Sequence, residues 1–132
     1  MIDDMRIGQG MDAHRFADGR DLVLCGVKVP HDRGLAGHSD ADVAVHALMD
    51  AILGALALGD IGKWFPDTDQ KHKGADSLKL LESILSSPSL DGWRIVNLDV
   101  TIVAQRPKLA PFSERMRGNL ARVVGCGLDR VS

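Results

Sequence analysis

Apolar and polar positions follow two periods along the chain, and together they divide it into strands and helices. Alternation with period two marks Met5–Met11 as a short, glycine-containing strand and Leu22–Pro30 as a strand pair bent near Gly26. It also marks Trp93–Gln105 as the strongest strand, with Ile95, Val96, Leu98, Val100, Ile102 and Val103 set against Asn97, Asp99 and Thr101. Between these, steps of three and four residues predict a helix in which Val43, Ala47, Leu48, Ala51, Ile52, Ala55 and Leu56 form one apolar stripe. Ser39, with Asp42 three residues on, supplies its capping pattern, and Gly59 its stop. Asp76 or Ser77 opens a second helix over Ser77–Ser86 with Leu78, Leu80, Leu81, Ile84 and Leu85 inward. A third runs from about Pro111 to Val124 with Met116, Leu120, Val123 and Val124 inward and Gly125 as its stop. Asp18-Gly19, Asp32–Gly34 and Ser86–Gly92 are turns, Asp60–Gly74 is a loop, and Asp129–Ser132 begins a further strand. The order β-β-β-α-α-β-α predicts an α+β fold, a small mixed β-sheet with helices packed on one face. Ile95–Val103 is too apolar for a solvated face, so the second face of that sheet is expected to pack on another subunit.

A chain of 132 residues is one domain with room for a real core. Sixteen Lys and Arg against 18 Asp and Glu are scattered to a net charge of −2, which excludes a nucleic-acid face and a polybasic membrane patch. The longest apolar run, Ala51–Leu58, is broken at Gly54 and too short to span a bilayer. The acidic start, MIDDMRIG, has no hydrophobic signal core, which points to a cytoplasmic location. Cys25 and Cys126 stand apart without metal-ligand spacing and read as reduced core residues.

The candidate chemistry gathers around the first helix. Asp42, His46 and Asp50, spaced four apart, project from one side. They form either a solvated polar face or a ligand histidine steered by a carboxylate one turn away. Asp12 and His14, two apart on an extended segment, share a side and can meet one metal ion. Two histidines and an acid suit zinc, and Asp12, His14 and His46 leave a fourth position open for substrate or water. In the Asp60–Asp69 loop, Trp64 and Phe65 act as a hydrophobic anchor, and its acids are either solvated or accept hydrogen bonds from a polyol. Lys108 is either an exposed surface lysine or a phosphate contact.

Four stretches carry a resemblance: GQGMDAHRF at Gly8–Phe16, HSDADVAVHALMDAILGALALGDIGKWFPDTD at His38–Asp69, KGADS at Lys73–Ser77 and DVTIVAQRPKLAP at Asp99–Pro111. In order and spacing over nearly the full chain they resemble the 2-C-methyl-D-erythritol 2,4-cyclodiphosphate synthases. The resemblance implies a lyase of the non-mevalonate isoprenoid route. It converts 4-diphosphocytidyl-2-C-methyl-D-erythritol 2-phosphate to the cyclic diphosphate by attack of the 2-phosphate on the β-phosphorus, and CMP is released. It implies zinc, or another divalent transition metal, on Asp12, His14 and His46, and a second divalent ion, Mg2+ or Mn2+. It places substrate against Asp12, Ala13, His14, His38 and Ser39, with His38 catalytic beside the reacting phosphates. Asp60, Ile61 and Gly62, with Phe65, Pro66, Asp67, Thr68 and Asp69, would hold the methylerythritol. Ala104, Gln105, Arg106, Pro107, Lys108, Leu109 and Ala110 would form the cytidine and phosphate pocket across a subunit boundary of a homotrimer.

Gln9 stands where some relatives carry histidine, and Arg106 where others carry a small residue. The resemblance also implies a following strand with a Thr-Thr-Thr-Glu motif, whose glutamate holds the second ion, which the 132 residues do not contain. A chain without it is expected to keep zinc but turn over slowly. That leaves two further readings, a zinc-dependent phosphohydrolase using water and an inactive trimer that binds metal and nucleotide.

Overall fold

The computed structural model describes residues 4–132; Met1–Asp3, within the acidic start, lie outside the described residues. Two antiparallel ribbons come first: β1 (Phe16–Ala17) pairs with β4 (Gly34–Leu35), and β2 (Leu22–Leu24) pairs with β3 (Val27–Val29). Four α-helices follow, α1 (Val43–Ala55), α2 (Ile61–Trp64), α3 (Ser77–Leu85) and α4 (Ser113–Val124). Helix α3 packs against both α1 and α4, and α1 closes over β2. The core is aliphatic, centred on Val27, Val29, Val45, Met49, Leu53, Leu81 and Ile84.

The α+β class stands, but the mixed sheet does not. Among the described residues, Met5–Met11 and Trp93–Gln105 form no strand ladder. The second of these carries one parallel bridge, Leu98 with Val131, extended by hydrogen bonds from Leu98 N to Arg130 O and from Val100 N to Ser132 O. A period-two pattern predicts an extended backbone and not its neighbour, and a ladder needs both. Their outward apolar side chains remain in the open: Ile7 is 88% exposed, Met11 82% and Val103 94%. Asp129, expected in a strand, lies in a 3-10 turn over Leu128–Arg130, and only Val131 pairs. The 60–74 loop contains α2, which four residues alone would not sustain; Asp50 accepts from Ile61 N at its entry and Asp60 from Lys63 N. Trp64 anchors the loop as expected, donating Nε1 to Leu58 O.

Helix α1 is rotated from its predicted stripe. Its buried residues are Ala44, Val45, His46, Leu48, Met49 and Leu53, whereas Val43, Ala47, Ala51, Ile52, Ala55 and Leu56 are half-buried. The helix is apolar nearly all round, so the pattern does not select a face. The Ala47–Ala51 side is taken by the N-terminal segment, which lies so close that a Cβ on Gly10 would sit 1.8 Å from Ala47 O and one on Gly8 1.7 Å from Ala51 O. Its cap is Asp42, not Ser39, and it ends at Ala55, before Gly59. Helix α3 buries Leu78, Leu81 and Ile84, with Leu80 and Leu85 at the margin. Helix α4 buries Met116, Leu120 and Ala121 and stops at left-handed Gly125.

Asp42 ties the helix to the β2–β3 hairpin. The turn residues Cys25 and Gly26 both have positive φ, as a two-residue hairpin of this twist requires. The Asp42 carboxylate accepts from the N–H of each, and from Val45 N. Burial pushes its pKa up to about 6, although the three backbone donors pull the other way. An unfolded aspartate titrates near ~3.9, so between that value and about 6 the folded chain binds the extra proton. The contribution of this group is therefore full below about pH 4 and is lost as pH rises through about 6, a change of about 3 kcal/mol at most. Asp42→Asn is expected to flatten that slope. Urea midpoints of metal-stripped wild type and variant across this range check it, and parallel profiles would refute it. Cys25 and Cys126 are free thiols, and burial pushes that of Cys25 up to about 12.

Candidate metal centre

Three elements meet at one point. The segment after Gly10 crosses the first half of α1 and brings Asp12 and His14 to the side on which His46 stands one turn past the cap. Asp12 Oδ2 lies 2.8 Å from His14 Nε2 and 3.2 Å from His46 Nδ1. The two rings meet edge to face at 5.4 Å between centroids. One ligand atom from each residue falls within 4.8 Å of the other two.

The outer nitrogens fix what the inner ones are. His14 Nδ1 is 2.5 Å from Ala36 O, a carbonyl that can only accept, so Nδ1 carries the hydrogen and Nε2 presents its lone pair to Asp12. His46 Nε2 lies 3.0 Å from Ser77 Oγ and 3.1 Å from Ser39 Oγ. Ser77 gives its own proton to Asp40 Oδ1, so toward His46 it accepts. His46 Nδ1 is therefore also a lone pair. Two imidazole lone pairs and a carboxylate converge, all acceptors, and such a set is satisfied by a cation. Burial holds the His46 pKa below the ordinary imidazole value, with Asp12 opposing, which favours the neutral ligand form. The donor set fits a metal with nitrogen and oxygen preference and an open corner.

The carboxylate expected one turn from His46 is not the partner. Asp42 is spent on the hairpin and Asp50 on Ile61 N, while hydroxyls take the His46 ring nitrogen. Asp40 and the Ala36 carbonyl, which no spacing in the sequence singles out, are supports of the two rings, and Ser77 serves as the hydroxyl partner while Asp76 caps α3. Both side chains lie inside the motifs around His38 and Lys73, which was the available signal.

Ser39 meets the triad through its hydroxyl on His46, and His38 precedes it in the chain. The 38–40 backbone is pinned to 74–75 by Gly74 N to His38 O and Asp40 N to Ala75 O, and Arg20 donates to the carbonyls of Gly37 and Ser39. His38 Nε2 reaches Asp69 O at 3.3 Å, so the acidic loop borders the same region. A cavity of about 200 Å³ lined by Arg20, Asp21, Ser39, Asp40 and Gly74 abuts these supports and not the three ligands. Ala104–Ala110 lies elsewhere: Leu109 lines a second cavity of about 290 Å³ with Val100, Ile102, Met116 and Val131, and Lys108 is exposed. Among the described residues no helix is long and apolar enough to cross a membrane.

A family model, the YgbB family, matches residues 5–132. The 2-C-methyl-D-erythritol 2,4-cyclodiphosphate synthase of Clostridioides difficile strain 630 is 56% identical over 97% of this chain and 80% of its own. That of Geobacter metallireducens is 59% identical over 97% and 82%. A solved structure of 2C-methyl-D-erythritol-2,4-cyclodiphosphate synthase in a CDP-bound form superposes with a TM-score of 0.84 at 40% identity, over 96% of this chain and 85% of its own. With its metal-ready triad set in the same motifs that carry the resemblance, the chain belongs to the YgbB family.

Proposed function

We propose that this chain converts 4-diphosphocytidyl-2-C-methyl-D-erythritol 2-phosphate to 2-C-methyl-D-erythritol 2,4-cyclodiphosphate and releases CMP. The observation that carries this reading is the convergence of three acceptors, Asp12, His14 and His46, in a chain more than half identical to synthases of that name. An acidic neighbourhood of Asp12, Asp40 and Asp69 repels phosphate, so an anionic substrate requires a cation there. Zinc held by the triad supplies positive charge to phosphate oxygens. A second divalent ion, Mg2+ or Mn2+, belongs to the same proposal.

The chain's own residues position the substrate. Phosphoryl transfer is mostly alignment and charge neutralisation, and an internal nucleophile held in line gains the entropy of a second reactant. His38 and Ser39 take the phosphate side, Asp60–Gly62 and Phe65–Asp69 hold the polyol, and Ala104–Ala110 receives the cytidine. Leu109 opens on a cavity that none of the three ligands lines, which supports a site completed by a neighbouring subunit, and the exposed Ile7, Met11 and Val103 support a homotrimer packed on these segments. A cytoplasmic location is part of this proposal.

Metal-stripped protein is expected to release no CMP, and one equivalent of zinc with excess Mg2+ should restore it, with 31P NMR reading a cyclic diphosphate. An open-chain phosphate as sole product would favour the hydrolase, and zinc binding without CMP release would favour the inactive binding trimer.

A further inference from the structure

We propose that Asp40 and Ser77 form a two-residue support that sets which nitrogen of His46 faces the metal. The inference rests on the metal reading above and extends it to residues that never touch the ion. Ser77 is fully buried at the first position of α3 and His46 is 8% exposed, so water does not compete for the hydrogen bond between them, while Asp40 is half-buried at the edge of the cavity it lines.

The wiring has one direction. Asp40 accepts from three donors: Oδ2 from Ser77 N, and Oδ1 from Asp42 N and from the Ser77 hydroxyl. A carboxylate has no proton to give, so the Ser77 proton points away from His46 and its oxygen lone pair points toward it. Nε2 must donate, and Nδ1 is left bare beside Asp12. Ser39 Oγ assists from the other side, itself held by Ala41 N. The backbone is bent to allow this. Ala41 takes a left-handed φ of 57°, which an alanine adopts at a cost, and this separates two carboxylates two residues apart. Asp40 turns to α3, and Asp42 turns to the hairpin. Helix α3 thereby acts on the metal centre through one hydroxyl, although it contributes no ligand.

Three substitutions separate this from a packing role. Ser77→Ala removes the acceptor. Ser77→Thr restores a hydroxyl at the same place. Asp40→Asn keeps one oxygen, for Ser77 N; its amide nitrogen in the Oδ1 place gives up the bond from Asp42 N and donates to Ser77 Oγ, which frees the Ser77 proton to turn toward Nε2 and moves the His46 hydrogen to the metal side. Zinc dissociation constants would be measured by competition with a chromophoric chelator, and cobalt(II) would be used as a spectroscopic probe of the ligand set. Thermal unfolding of each metal-free protein reports the fold separately. Ser77→Ala and Asp40→Asn are expected to weaken zinc by roughly 10–100-fold and to change the cobalt d–d band, with Ser77→Thr near wild type. Wild-type zinc affinity and an unchanged cobalt spectrum in Ser77→Ala and Asp40→Asn would overturn the support. Equal loss in Ser77→Ala and Ser77→Thr would overturn it in favour of packing. Should Ser77→Ala not fold, Asp40→Asn decides alone by the same two readings. A wild-type protein that takes up no zinc would instead overturn the metal reading beneath.

Discussion

His46→Gln is expected to cost the protein its metal and, with it, CMP release. Structural zinc in small sites is worth roughly 10–16 kcal/mol over four ligands, so one nitrogen carries about 3–4 kcal/mol, or about 10²–10³-fold in affinity. Glutamine nearly matches the size of the imidazole, and its amide can still donate to Ser77 and Ser39, so packing at this 8% exposed position is spared. What is lost is the lone pair that Nδ1 turns to Asp12. CMP release is expected to fall by at least the same factor. Chelator competition and a CMP assay at saturating zinc check the two losses separately. Unchanged zinc affinity would remove His46 from the ligand set.

Gly10→Ala is expected to do comparable damage from outside the triad. Its Cβ would meet Ala47 O at 1.8 Å, and the obstacle is helix backbone, which cannot rotate aside. Overpacking usually costs 1–3 kcal/mol, and a clash with backbone belongs at the upper end, ~3 kcal/mol. The only relief is for the segment to lift from α1, and Asp12 lies two residues along it, so zinc affinity should fall as stability does. Gly54→Ala supplies the contrast. It lies on the exposed side of the same helix, and nothing sits within 4 Å of its Cβ. Alanine there should stabilise by about 0.5–1 kcal/mol and leave zinc untouched. Denaturant unfolding with zinc titration reads both; if the two variants behaved alike, the close approach of segment and helix would have no energetic meaning.

The ligands were legible because their spacing is local. Asp12-x-His14 on extended backbone and His46 one turn inside a helix each declare a side by arithmetic alone. What they faced was not local. The partner of His46 comes from 31 residues away and that of His14 from 22, and no periodicity encodes such distances. The face of α1 was misread for a related reason: apolar residues surround it, and the segment that covers Ala47 and Ala51 is recognised only by two glycines at its contact. The strands at 5–11 and 93–105 were predicted from alternation, which specifies a shape and leaves the neighbour open. Helix α2 was hidden because its stability lies in two aspartates outside it, Asp50 and Asp60.

The two imidazoles are moored by different materials. His14 hangs from the peptide carbonyl of Ala36, which every residue possesses, so almost any side chain at that position leaves the mooring whole. His46 hangs from hydroxyls that a single substitution can delete. Drift at residue 36 should therefore pass unnoticed by the first ring, whereas drift at residues 39 and 77 should leave scars around the second, so that the fragility of the ring supports is concentrated on the side nearest α3.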